Sequence, residues 1–117
     1  DKTMSAAATV IVAHDLVFHE RMANASMAAG FAADPAGAEG HAFRNGTLGG
    51  AYFIIAARAL GLDCGPMSGF DNDAVDAAFF SATHGYSNFL CNLGYGTDEG
   101  VSPRSPRLTF NDACKVV

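Results

Sequence analysis

The chain has 117 residues, half of them hydrophobic, which suits one domain with a core, or a piece of one. Its 7 Lys and Arg against 12 Asp and Glu give a formal charge of -5, so no basic face exists to collect phosphates, which argues against nucleic acid and anionic membrane surfaces as partners. No apolar run reaches the roughly 18 residues of a membrane span, and the opening Asp1–Met4 lacks the apolar region and cleavage site of a signal peptide.

In chain order, Ala6–Ala13 contains the β-branched run Thr9-Val10-Ile11-Val12 and predicts a buried strand, apolar on both faces. Phe18–Phe31, rich in Ala and Met, predicts a helix ended by Gly30, and Asp34-Pro35 predicts a turn. Ala36–Leu60 is the longest helical stretch, although each interior glycine costs about 1 kcal/mol relative to Ala. Close approach of the helix to a neighbour is the reason expected for Gly37, Gly40, Gly46, Gly49 and Gly50. Leu48, Ala51, Tyr52, Ile55, Ala59 and Leu62 form one apolar face; Phe53, Ile54 and Ala57 form a second. A helix apolar on two sides is expected to be covered twice, as in a dimer core, with Gly61 as its stop.

Gly61–Asp71 then makes a path with little side chain through Gly65, Pro66 and Gly69. Asp71 or Asn72 is placed to cap a short helix with Val75, Ala78 and Phe79 on one face. Ser87–Tyr95 predicts a strand. Pro103 and Pro106 keep the tail extended until after Leu108, with a final short element within Asn111–Val117. Two or three strands among these helices give an α/β or α+β layout with a thin sheet that asks for more strands from elsewhere.

The chemistry-bearing groups are few. The Gly65–Gly69 path lets backbone N–H groups approach a flat ligand, or is an ordinary turn. Arg104 and Arg107 beside two prolines can hold a phosphate bidentately, or are solubilising charges on an arm. Tyr95 is expected to cover the core, with packing on a bound cofactor as the alternative. His14 and His19 are five apart, off the helical zinc spacing, and no metal site is expected. Asn45-Gly46-Thr47 has the glycosylation spacing but is expected in a buried helix. Cys64, Cys91 and Cys114, with no Cys-x-x-Cys, read as reduced, mostly buried thiols of a cytosolic protein. No nucleophile elbow, P-loop or dinucleotide glycine fingerprint occurs.

Several segments carry a resemblance: Arg44-Asn45-Gly46, Gly50-Ala51-Tyr52, Ala56–Asp63, Gly65–Asp71, Ser87–Gly96 and Pro103–Leu108. Together they resemble the nitroreductase family of flavin enzymes, and within it the malonic semialdehyde reductase branch associated with pyrimidine breakdown. The resemblance implies an α+β, nitroreductase-like fold, with residues 1–117 as the C-terminal portion of one domain and the sheet completed by a partner chain. It implies FMN as cofactor, NAD(P)H as co-substrate, a small acceptor such as malonic semialdehyde, a quinone or a nitro compound, and a cytoplasmic homodimer with flavin at the subunit interface.

By the same resemblance, Pro66, Met67, Ser68 and Gly69 lie against the flavin ring with a backbone N–H toward N5, and Arg104 and Arg107 hold its phosphate. Several members carry Glu where this chain has Ser68, a departure that fits the semialdehyde branch. The family's N-terminal half normally supplies further flavin contacts. The alternative is a piece that self-associates without holding flavin.

Overall fold

The central strand of the sheet is the last one in the chain. In the computed structural model, which describes residues 2–117, β1 (Ala8–Asp15) and β2 (Asp63–Met67) flank β3 (Gly85–Gly94) in the antiparallel order β1-β3-β2. Asp1, the first residue of the opening screened for a signal peptide, lies outside the described residues. β3 carries the run Phe89-Leu90-Cys91 and pairs on both sides, which suits a strand apolar on both faces. Cys91 at its centre is fully buried.

The β1–β3 register shifts between Val12 and Ala13: Val12 faces Phe89 and Ala13 faces Ser87, leaving Asn88 as the extra residue of a bulge. The shift lets Asn88 and Phe89 both reach α3 (Pro35–Ala59). The Asn88 Nδ2 donates to the Phe43 carbonyl at 3.3 Å and to the Thr47 hydroxyl at 2.9 Å. The Phe89 ring lies beneath Gly50, where an added Cβ would sit 2.5 Å from Phe89 Cζ and 3.0 Å from Val12 Cγ1. At Gly46 it would meet His14 Cβ at 3.1 Å and the Ala13 carbonyl at 3.3 Å. Close approach therefore explains these two glycines, whereas Gly40 and Gly49 have nothing within 4 Å.

The first helical expectation is corrected. Phe18–Phe31 divides into a 3-10 turn, Phe18–Arg21, and α2 (Ala25–Ala33), because Asn24 opens a new helix by accepting from Met27 N–H at 3.1 Å. Gly30 does not end α2. Asp34-Pro35 is not a free turn but the start of α3: Asp34 accepts from Gly37 N–H at 3.0 Å and Pro35 occupies the first turn, where its missing N–H costs nothing. Gly61, at φ +85, stops α3 in the left-handed conformation glycine allows.

Only one of the two apolar faces of α3 is packed. Phe53 and Ile54 are half-buried and Ala57 is buried, whereas Leu48, Tyr52 and Ile55 are 55%, 74% and 65% exposed. The buried apolar residues are Ala38, Ala42, Ala57 and Cys91, all small. The radius of gyration, 17.6 Å, exceeds the roughly 13 Å of a compact 100-residue domain.

α4 (Asn72–Phe79) begins at Asp71, which accepts from Ala74 N–H at 3.0 Å. Its inward residues are Val75 and Asp76; Ala78 and Phe79, expected on the packed face, are exposed. The arm stays irregular past both prolines until α5 (Phe110–Ala113), where Thr109 and Asp112 close a capping box. A short opening helix, α1 (Lys2–Ser5), brings the Thr3 hydroxyl to Met67 Sδ at 3.8 Å. Among the described residues no helix is long and apolar enough to cross a membrane.

Two alanine substitutions in α3 should have opposite signs. Gly50→Ala drives a methyl into Phe89 and should destabilise by about 1–3 kcal/mol; Gly40→Ala meets open space and should stabilise by up to about 1 kcal/mol. Urea unfolding of the two variants checks this, and an unchanged midpoint for Gly50→Ala would contradict the packing.

Candidate functional site

Pro66 has no N–H, so its pair with Cys91 must be of the non-hydrogen-bonded kind, and Gly65 and Met67 are the residues that exchange bonds with β3. Cys64 and Pro66 consequently present their backbone to the outer edge of the sheet. An edge strand is where proline is tolerated within a ladder. Side chains alternate along the strand, so Pro66 shares the face of Cys64, whose thiol reaches the Ile54 carbonyl of α3 at 3.9 Å. Met67 points to the opposite face, toward Thr3. The structure therefore separates Pro66 and Met67 onto two sides of the strand.

Ser68 and Gly69 follow as an exposed turn, with nothing within 4 Å of a Cβ built at Gly69. Both ends of this turn are tied to β3. Met67 pairs with Leu90 at one end. At the other, Asn72 Nδ2 donates to the Ser87 carbonyl at 3.0 Å and hydroxyl at 2.9 Å, while the Asp76 carboxylate accepts from Ser87 N–H at 2.8 Å. Ser87 is buried and its polar atoms are all engaged by α4. The turn is held at fixed length between two levels of one strand.

Arg104 and Arg107 lie on the exposed arm. Arg107 donates one guanidinium N–H to the Ser105 carbonyl at 2.8 Å, within the arm itself. Among the described residues Arg104 has no hydrogen-bond or ion-pair partner, and neither arginine is bonded to the 66–69 turn. The two expected halves of the site are both accessible but are not joined within one chain. Tyr95, expected to cover the core, is 82% exposed. Asn45 and Thr47 are exposed on α3 rather than buried, their side chains bonded to the carbonyls of His41 and Phe43 in the preceding turn. Of the thiols only Cys91 is buried; Cys64 is half-buried and Cys114 exposed. Burial pushes the Cys91 thiol up, and the neighbouring Cys64 adds to it.

Two features escape sequence reasoning. One is an open cleft of 710 Å³ beside the turn, lined by His14, Phe43, Asn72, Asp73, Asp76 and Tyr86 among others. Its only sequence signal is the polar cluster that follows Asp71. The other is Asp63, the first residue of β2. Its carboxylate accepts from Gly96 N–H at 2.7 Å and pairs with Arg58, whose guanidinium also reaches the Leu62 carbonyl at 3.0 Å. The Gly96 N–H first, and the Arg58 guanidinium second, hold the Asp63 carboxyl below its ordinary 3.8.

The nitroreductase family model matches residues 1–95, and the chain belongs to the nitroreductase family. It is 57% identical over 118 residues to a Xanthomonas oryzae pv. oryzae protein named "Putative NADH dehydrogenase/NAD(P)H nitroreductase", covering 97% of this chain and 60% of that one. A Burkholderia lata protein bearing the same name is 55% identical over 119 residues, covering 98% and 61%. The chain thus spans about three fifths of the length of the curated relatives it matches.

Two crystal structures share its fold. A Bacillus subtilis protein called "putative nitroreductase ydfN" superposes with a TM-score of 0.78 at 22% identity, over 99% of this chain and 66% of that one. A Staphylococcus epidermidis protein called "putative NAD(P)H:FMN oxidoreductase" gives 0.72 at 17% identity, over 97% and 62%.

The Asp63 shift has a definite sign. A carboxyl whose folded value lies below its unfolded value stabilises the fold fully above the unfolded value, and that contribution is lost as pH falls below 3.8 toward the lower folded value. Stability measured by urea unfolding should therefore fall less steeply with pH below about 4 in Asp63→Asn than in the parent. Equal slopes would remove the linkage.

Proposed function

We propose that the chain is part of an FMN-dependent NAD(P)H oxidoreductase that reduces a small acceptor. The observation that carries this reading is the tethered, open turn at Ser68-Gly69 at the sheet edge, in a chain of the nitroreductase family. The names of its Xanthomonas and Burkholderia relatives support the nicotinamide co-substrate, and the name of the Staphylococcus protein supports FMN.

The residues fit such a group. Ser68 and Gly69 are exposed just past the end of β2, and the open space at Gly69 would admit a planar ring against the backbone. FMN, when bound, supplies the two-electron chemistry that passes a hydride from NAD(P)H to the acceptor. The chain's own part is to hold and orient. Ser68 and Gly69 would offer backbone donors to the flavin ring, with Pro66 on one side of the strand and Met67 on the other. Arg107, whose other guanidinium donors have no partner among the described residues, and Arg104 would hold the phosphate with the planar fork that suits it. The acceptor is a three-carbon semialdehyde, malonic semialdehyde, or with less selectivity a quinone or nitro compound; Ser68 in place of Glu leaves the turn without a carboxylate to repel an anionic one.

The same reading makes the protein a homodimer. The face of Leu48, Tyr52 and Ile55 is apolar and uncovered, and a second copy of α3 would bury it. The cofactor halves left apart in one chain would then be completed at or near the subunit boundary. The cytoplasm is the proposed compartment, in keeping with three free thiols.

The test is a visible absorbance spectrum of the purified protein after FMN addition and gel filtration. A retained flavin spectrum is expected. Arg107→Ala should then weaken FMN binding about tenfold or more, as loss of a charged hydrogen bond does; unchanged affinity would remove the phosphate role. A colourless protein that takes up no FMN favours self-association without flavin. In light scattering, Tyr52→Glu should shift a dimer to monomer, and a parent that is already monomeric would refute the α3 interface.

A further inference from the structure

The arm that carries Arg104 and Arg107 does not leave β3 freely. β3 ends at Gly94 opposite Asp63. Two residues later the Gly96 N–H turns back to the Asp63 carboxylate at 2.7 Å. That carboxylate is in turn paired with Arg58 at the end of α3, and Arg58 is anchored on the Leu62 carbonyl at 3.0 Å. A Cβ on residue 96 would lie 3.2 Å from the Asp63 Oδ2, a tight contact from which the carboxylate would have to move by a few tenths of an ångström. The root of the arm then lies between the start of β2 and the residues just before β1: Ala6, Ala7, Gly65, Tyr95, Thr97 and Val101 line one groove of about 740 Å³. The chain leaves the central strand beside Asp63, at the end of β2 away from Met67.

We propose that Asp63 is a positioning residue for the arm: by accepting the Gly96 N–H while held by Arg58, it fixes the direction in which the arm leaves the sheet and so limits where Arg104 and Arg107 can reach. The proposal rests on the reading of those arginines as a phosphate site. Asp63 itself touches no ligand. It acts by narrowing the directions the arm can take, so that less freedom is lost when the arginines engage an anion. The depressed Asp63 carboxyl agrees with a charge-assisted bond at this point.

The experiment compares Asp63→Ala, Asp63→Asn and Arg107→Ala in the purified chain, with amide exchange at Gly96, backbone 15N relaxation across residues 97–107, and FMN affinity by fluorescence quenching. Asp63→Ala should speed exchange at Gly96 at least about tenfold, loosen residues 97–107 and weaken FMN about tenfold, with the far-ultraviolet spectrum unchanged. Asp63→Asn keeps an acceptor for Gly96 and should restore most of both effects, a rescue that a loss of general stability would not show. Unchanged exchange and relaxation in Asp63→Ala overturn the proposal. So does a loosened arm with parental FMN affinity where Arg107→Ala weakens binding. If Arg107→Ala is also without effect, or the parent takes up no FMN, the phosphate reading itself falls and this inference with it.

Discussion

The approach of α3 to the sheet over Phe89 is the contact on which the rest depends. A long helix can settle this low only where it carries no side chain, and Gly46 and Gly50 supply those two places, four residues apart on one face. The bulge at Asn88 answers from the sheet side by turning two consecutive residues toward the helix, one as a hydrogen-bond donor and one as a ring. Because the buried residues are small, the stability gained here comes from close contact over a narrow strip rather than from large buried side chains. The opposite face of the same helix is apolar and wet, a combination that a domain this thin does not resolve by itself.

From that contact the site follows by short connections. Gly61 turns the chain out of α3 and straight into β2, so the edge strand is placed by the helix that packs beside it. β2 leads to the 68–71 turn, and Ser87 of the central strand catches α4 on the far side. The loop is exposed yet has little slack, which is the arrangement a rigid scaffold gives to residues meant to meet a ligand. The arm differs: it has one polar tether near its root and no apolar anchor along its length.

Much of this was readable beforehand, for physical reasons that differ by element. α3 was legible within a residue or two at each end because its length, its small-residue content and the Gly61 stop all agree. β1 and β3 are legible as strands from β-branched and apolar runs, but β1, expected to be buried on both faces, is an edge strand with no buried residue, because β3 takes the central place. The Asp71 cap was legible because a short polar side chain before a helix has few other uses there. The break between Phe18–Arg21 and α2 was missed because Ala-rich sequence looks helical throughout, and only the Asn24 cap marks the new start.

Asp34-Pro35 was misread as a turn because the same pair opens helices. The exposure of Tyr95 and Phe79 could not be read from sequence, since apolar character says that a residue can be covered and not by what. Asp63 was missed as well: its partners lie 5 residues before it and 33 after it, and no local pattern announces such a pairing. The turn at Pro66–Gly69 and the two arginines are legible from family likeness rather than from their own chemistry, and among the described residues no bond joins them within one chain.

Pro66 carries a consequence for what the sheet edge can accept. An open edge strand normally offers a row of donors and acceptors on which any extended peptide can grow, the usual route to fibrillar association. On β2 the outward positions are 64 and 66, and the second has no hydrogen to give. A second strand laid there would lose that bond and leave one of its own carbonyls facing a proline ring. The edge is thus a poor template for a growing sheet, through one imino acid placed where the ladder does not miss it.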